Sequence, residues 1–463
     1  MRWPVSYLVL LFAAFLLPLS VVVAADDETP AADETPPPFN EFNVDDFMDI
    51  TLHADLWLYH VRTEDAYHTR ENAAFTEVTA RLGADITFTD VEWLSTQFRV
   101  VGTDVHGRPD SWTVPRRTDW GTRFDLANAT VSGNVGDIAT SLTLGVQELG
   151  YGDGLLIYDG VTDKRAYWTT PLRSFPAAKL TVVPCDNCSV DFFAAIVDED
   201  HQSWEGYLGS YAAVEGGGQV YGTNVNCPHE SLGTFDIGLF LKDEDIRSME
   251  NGGLDTGSNT WALSVRDSKD FGQFNVTGEV IKQWGRTRVV QNSLAPGNEL
   301  RSRSAWGGQA SLRYNFDCEN LAPYVSARYA YFQGDRRSTS TVESFDPFFY
   351  GFQDWGYWYL GDMTSYSLTN TNEKVISLEL GCTPTASTKL RVFLYDFSLD
   401  RETPIVSTHS WSNEINVIFD YYPCDYAFLG AMVGANDPGS AAATFNGDDE
   451  TQTEVMFWAG LYF

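Results

Sequence analysis

The chain has 463 residues, with 30 Lys and Arg against 64 Asp and Glu, giving a formal net charge of −34. A surface of that sign repels nucleic-acid phosphates and gains nothing from releasing their counterions, which excludes a nucleic-acid partner. Beyond the N-terminal apolar run no window offers the roughly 18 consecutive apolar residues of a membrane helix, so any spanning structure must be built from strands.

In chain order, Arg2, the apolar run Leu8 to Val23 and the small pair Ala24-Ala25 predict an export signal over residues 1–25. Residues 26–46 are mostly Asp, Glu, Thr, Pro and Ala and read as a disordered acidic leader. From residue 47 to the end the composition is even, which predicts one domain.

Val78, Ala80, Leu82, Ala84, Ile86 and Phe88 share one face of an extended chain, while Thr79, Arg81, Gly83, Asp85 and Thr87 share the other. That alternation lasts a full membrane-crossing length and is longer than most soluble strands. Runs of the same kind recur at Ile50–His60, Leu94–Thr103, Phe235–Lys242, Phe274–Val280, Trp306–Phe316, Val325–Tyr331 and Ile415–Tyr421. The last strand places Val455, Phe457, Ala459, Leu461 and Phe463 on one face and ends on an aromatic residue, an aggregation hazard for a soluble protein. The pattern predicts an all-β fold, a transmembrane antiparallel up-and-down barrel of about 18 strands, with 16 as the alternative. Long connections (His106–Trp120, Tyr151–Phe175, Asp243–Ser258, Trp284–Arg303, Gln333–Thr371, Gly434–Gln452) alternate with short turns, as expected of outer loops and periplasmic turns.

In this topology all six cysteines fall at or beside inner turns, which predicts disulfide staples at the barrel floor and leaves their connectivity open. No helical His pair and no Gly-x-Ser-x-Gly elbow occurs, so the chain is not expected to be an enzyme. No cofactor is expected, with calcium the one candidate ion at the acidic outer loops.

A charge facing lipid costs about 2–4 kcal/mol at midplane, so the parity of Arg81, Arg99, Arg123, Arg313 and Arg328 places them in the lumen, with Asp85 beside them. Guanidinium groups pair bidentately with carboxylates and would suit an anionic sugar, although neighbouring lumen carboxylates could neutralise them instead. The aromatic-rich stretch Gln333–Thr371, including Arg336, Arg337, Asp346, Trp355 and Trp358, is the candidate constriction or lid, or in part an aromatic girdle.

Two segments resemble a known family. Gly145-Val-Gln-Glu-Leu-Gly-Tyr-Gly-Asp-Gly154, which contains the candidate pore residue Gln147, resembles the Gly-Arg-Gln-Glu-Leu-x-Tyr-Gly-Asp segment of the alginate-export outer-membrane barrels. Gly334-Asp335 followed by Phe345-Asp346-Pro347 resembles that family's Ser-Gly-Asp and downstream Phe-Asp-Pro. The resemblance implies a monomeric barrel, folded by the barrel assembly machinery and surrounded by outer-membrane lipid. It would pass a saccharide or other small polar solute through an arginine-lined constriction. Val146 and Leu155 stand where the family carries Arg, which puts alginate itself in question.

Overall fold

The computed structural model describes residues 41–44, 47–66, 71–108, 121–157, 174–185, 187–197, 202–203, 214–215, 218–229, 231, 233–244, 258–290, 298–318, 321–336, 338–348, 370–403 and 405–462. The expected export signal and most of the leader lie outside these residues. The strands are β1 (Glu41–Val44), β2 (Met48–Ala66), β3 (Glu71–Phe88), β4 (Leu94–Arg108), β5 (Gly121–Val135), β6 (Ile138–Glu148) and β7 (Ser174–Cys185). There follow β8 (Cys188–Val197), β9 (Gln202–Ser203), β10 (Val214–Glu215), β11 (Gly218–His229), β12 (Gly233–Glu244), β13 (Ser258–Phe271) and β14 (Phe274–Val290). The last are β15 (Asn298–Asn315), β16 (Tyr324–Phe332), β17 (Glu373–Thr385), β18 (Thr388–Leu399), β19 (Ser410–Cys424), β20 (Ala427–Pro438) and β21 (Gln452–Tyr462).

Each ring strand pairs antiparallel with its sequence neighbour, β8 passing directly to β11, and β21 returns to β2 with Asp55 opposite Tyr462 and Glu64 opposite Thr453. Of the 21 strands only β1, β9 and β10 stand outside the ring, so among the described residues 18 strands close the barrel and the alternative of 16 falls. β1 pairs with β2 from Val44–Met48 to Glu41–Thr51, continuing the edge of β2 where β21 stops. Ordered structure therefore reaches into the last residues of the stretch read as a leader. A second departure is that β14 and β15 run to Val290 and from Asn298, through much of the connection expected over Trp284–Arg303.

The outward face is apolar. Leu82 is 56% exposed, Val280 57%, Val433 59% and Phe124 63%, values that only hydrocarbon contact makes tolerable. Aromatic rings rim this belt: Phe47 against Phe88 and Phe274–Tyr314–Phe316 at the turn side, Trp261 against Trp284 with Trp306 nearby at the loop side.

The inward face divides by height. Toward the turns it is charged, with Asp55, Arg81, Asp85, Arg99, Asp125, Arg313, Glu379, Arg391 and Asp420. Toward the loops an apolar cluster appears, with Val61, Phe75, Val220, Phe240, Ile281, Ala305 and Ala330 buried, interleaved with buried polar groups such as Glu77, Lys242, Gln283, Glu414 and Glu454. A wall of that kind is what an inward-folding loop needs to bury its own apolar side chains against.

One disulfide is formed, Cys188–Cys227, between the paired strands β8 and β11. Cys185, Cys318, Cys382 and Cys424 are free thiols, so the floor has a single staple among the described residues. The same residues contain no group of His, Cys, Asp and Glu able to hold a metal ion, and nothing there supports the calcium expectation.

Replacing the lipid-facing Leu82 by Arg should destabilise the barrel by roughly 2–4 kcal/mol. The measurement is the urea midpoint for refolding into lipid vesicles; an unchanged midpoint would remove Leu82 from the lipid face.

Candidate functional site

Two connections fold inward and seal onto one wall, β12–β15. The first follows β6. Gly152 and Gly154 sit at φ of 61° and 78°, turning the chain back on itself so that the Tyr151 N–H donates to the Ile157 carbonyl at 3.0 Å. The positive φ favours glycine at 152, and a Cβ there would stand 2.8 Å from a carboxylate oxygen of Glu279, which would have to shift. Leu149, Leu155, Leu156 and Ile157 are buried. Tyr151 stacks on Phe193 with ring centroids 5.2 Å apart, and its hydroxyl donates to Asp191 at 3.3 Å. Burial, with Asp191 adding to it, pushes the phenol far above its ordinary range and keeps it a neutral donor.

Asp153 anchors the segment. It accepts from Arg266 Nε at 2.6 Å and from the Gln309 amide, while its own N–H donates to Glu279 at 2.9 Å. Glu279 also accepts from Ser264 Oγ at 2.6 Å. Strands β13 and β15 thus hold the loop carboxylate, and β14 between them accepts the backbone N–H of the same residue.

The second connection follows β16. Val342 exchanges backbone hydrogen bonds with Ser302 and Ser304, extending the wall beside β15 above the end of β16. The Phe345 ring occupies the space that a side chain on Gly307 would fill and packs on Phe332 at 5.1 Å. Asp346 receives Lys242 Nζ at 2.8 Å, and Gln283 both donates to its carbonyl at 2.6 Å and accepts its N–H at 2.8 Å. Arg303 Nη1 lies 3.7 Å away. Lys242, Gln283, Arg303 and Asp346 are all buried, so Asp346 fastens the segment to the wall and does not face a passing solute. Glu279 and Gln283 are both inward on β14, which sets the two anchors about 13 Å apart along the strand.

The arginines expected in the lumen are largely engaged. Arg81 donates through Nε to both oxygens of Asp55, at 2.8 and 2.9 Å. Arg99 bridges Asp125 at 2.8 Å and Glu148 at 2.7 Å. Arg313 donates to Asn315 and lies 3.6 Å over the Tyr324 ring. Arg328 faces the lumen from β16, two inward positions above Tyr324. Arg123 lies opposite Val101 in β5. Asp85 lies 2.9 Å from His53, and Gln147 is buried, donating to the Thr143 and Ala177 carbonyls at 3.1 and 2.9 Å. In the β16–β17 connection Arg336 is exposed and 3.6 Å from Glu343, whereas Arg337, Trp355 and Trp358 fall outside the described residues.

Several groups were not legible as site residues. Lys242, Arg266, Glu279, Gln283 and Gln309 hold the two anchors, and Arg391 pairs with Asp420 at the charged level. Glu279 and Asp420 have inward parity in the sequence, but the strand each faces depends on register.

Residues 233–418 match the family model described as alginate export, a stretch that contains the Asp346 anchor and its wall and leaves out the Asp153 segment. Solved structures with the same fold include OccAB1 of Acinetobacter baumannii (TM-score 0.57, 9% identity, 89% of this chain and 96% of that one). A BenF-like porin of Pseudomonas fluorescens Pf-5 gives 0.54 at 10% identity, covering 89% and 99%. OpdK of Pseudomonas aeruginosa gives 0.53 at 11% identity, covering 89% and 99%. The chain has the closed antiparallel barrel fold of outer-membrane porins. No curated protein sequence matches this barrel.

Replacing Asp153 with Asn should leave Arg266 without its carboxylate and release the segment from the barrel wall. Breaking a partly buried pair of this kind corresponds to hydrogen exchange over Leu149–Ile157 faster by on the order of a hundredfold. Unchanged exchange would mean that the apolar contacts alone hold the segment.

Proposed function

We propose that the barrel is an outer-membrane diffusion channel for a polar, carboxylate-bearing solute of saccharide type, exported through the inner membrane by its first 25 residues. The observation that carries this reading is the division of the lumen, in which a charged ladder near the turns leads to an outer half narrowed by two segments anchored on β12–β15. The ladder can still receive an anion. Arg81 engages Asp55 through Nε only, so its Nη donors are available for a second carboxylate, and its side chain retains 19% exposure.

The match to the alginate-export model supports a polysaccharide, while the porin-like fold equally accommodates a small solute. A second reading, a general porin without sugar selectivity, is favoured by one specific observation. Arg81, Arg99, Arg266 and Arg391 each hold a carboxylate, which weakens any fixed positive ring.

Single-channel recording in a planar bilayer separates them. Oligouronates should block discrete conductance steps at concentrations where neutral oligosaccharides of equal length do not. Arg81→Gln should weaken that block about tenfold, the equivalent of one charge-assisted hydrogen bond. Equal block by both sugars, or no change in the variant, would establish the general porin.

A further inference from the structure

The lipid-facing surface carries a cation where the apolar belt predicts none. Along β14 the inward residues are Thr277, Glu279, Ile281, Gln283 and Thr287, all buried, so Lys282, Trp284 and Arg286 point outward. Lys282 Nζ donates to Ser304 Oγ at 2.8 Å and lies 4.6 Å over the Trp306 ring. Trp284 stacks on Trp261 with centroids 6.5 Å apart and planes 8° from parallel. Arg286 lies opposite Asn259 and Ser302 on the same outward face and is exposed.

Height decides what this cluster meets. From the turn-side ring of Phe274 to the loop-side ring of Trp284 is ten steps along a tilted strand, or about 25 Å of membrane normal, the thickness of the apolar belt. Lys282 therefore stands about 5 Å inside the outer aromatic rim, within reach of the headgroups for a lysine that extends its ammonium toward them. At that depth the cost of a lipid-facing cation falls from about 2–4 kcal/mol toward 0–1, so the position is tolerable but not neutral without an anion. Among the described residues neither Lys282 nor Arg286 has a carboxylate within ion-pair distance. The nearest outward carboxylate by register is Asp243, opposite Asn259 and two strands from Arg286.

We infer that Lys282, Arg286 and Ser304, walled by Trp261, Trp284 and Trp306, form a binding site for the phosphate of an outer-leaflet lipid. The two cations meet the phosphate charge, and the Ser304 hydroxyl, which already accepts from Lys282, has its proton free to donate. The indole faces, 37% to 48% exposed, offer flat apolar walls for the sugar or acyl portion of the same lipid. The site lies on the outside of the barrel and does not depend on the transport reading.

The test is native mass spectrometry of the full barrel, refolded in detergent, titrated with diphosphorylated lipid A and with its fully dephosphorylated form. The wild-type protein should retain one diphosphorylated lipid A and bind the dephosphorylated form far more weakly. With each surface cation contributing on the order of a factor of five, Lys282→Met should raise the apparent Kd about fivefold and Lys282→Met with Arg286→Gln about twenty-five-fold. Lys282→Arg should retain binding. Equal affinity for the two lipids in the wild-type protein would overturn the site without reference to any variant, as would a double variant that binds like the wild type.

Discussion

Within hydrocarbon no water is present to satisfy a backbone N–H or carbonyl, and the pairing of β2 with β21 is where this chain meets that constraint. Ten consecutive residue pairs, Asp55–Tyr462 to Glu64–Thr453, join the two ends of the sheet, and β1 pairs with Met48–Thr51 on the same edge of β2. An open edge there would leave a row of unpaired backbone groups in the membrane. Closure in turn requires every strand to keep one face for lipid, which fixes the outward alternation all round the ring.

A ring of 18 strands encloses more space than its own side chains fill. The two inward segments answer that surplus. Each brings a short set of apolar residues, Leu149 with Leu155–Ile157 and Phe345 with Phe348, and each ends on a carboxylate met by basic and amide groups of the wall. The apolar part supplies burial and the anchor supplies position, because Asp153 and Asp346 meet these wall partners in one placement only. The wall residues are spread over four adjacent strands, so the arrangement depends on register: a slip of one residue in β14 would turn Glu279 and Gln283 toward lipid.

Much of this fold was legible in the sequence, because lipid imposes a period-2 pattern that survives wherever the opposite face is polar. Val78–Phe88 is clear for that reason. The pattern blurs where the inward face also becomes apolar, as at Ile281–Trp284 and Ala305–Trp306, where loops seal onto the wall, and at Phe393–Tyr395 in β18. The β14–β15 connection looked long because its strand ends are rich in Arg, Gln and Asn, residues that suit a strand projecting above the membrane as well as a loop. The Gly145–Gly154 segment and Asp346 were singled out from resemblance, and the structure gives them a physical role as a turn and two anchors. What sequence could not convey was pairing. That Arg81 finds Asp55, that Arg99 finds Asp125 and Glu148, and that Cys188 joins Cys227 all depend on which residues lie opposite across a strand pair.

Segments sealed to β12–β15 narrow the lumen on its loop side. The most direct test is the single-channel conductance of a barrel in which residues 150–156 are replaced by a flexible Gly-Ser stretch of equal length, compared with the wild type under identical salt. The account predicts a conductance several times larger in the variant. An unchanged conductance would show that the first inward segment does not narrow the path, and that the solute route, if one is open, runs elsewhere in the lumen.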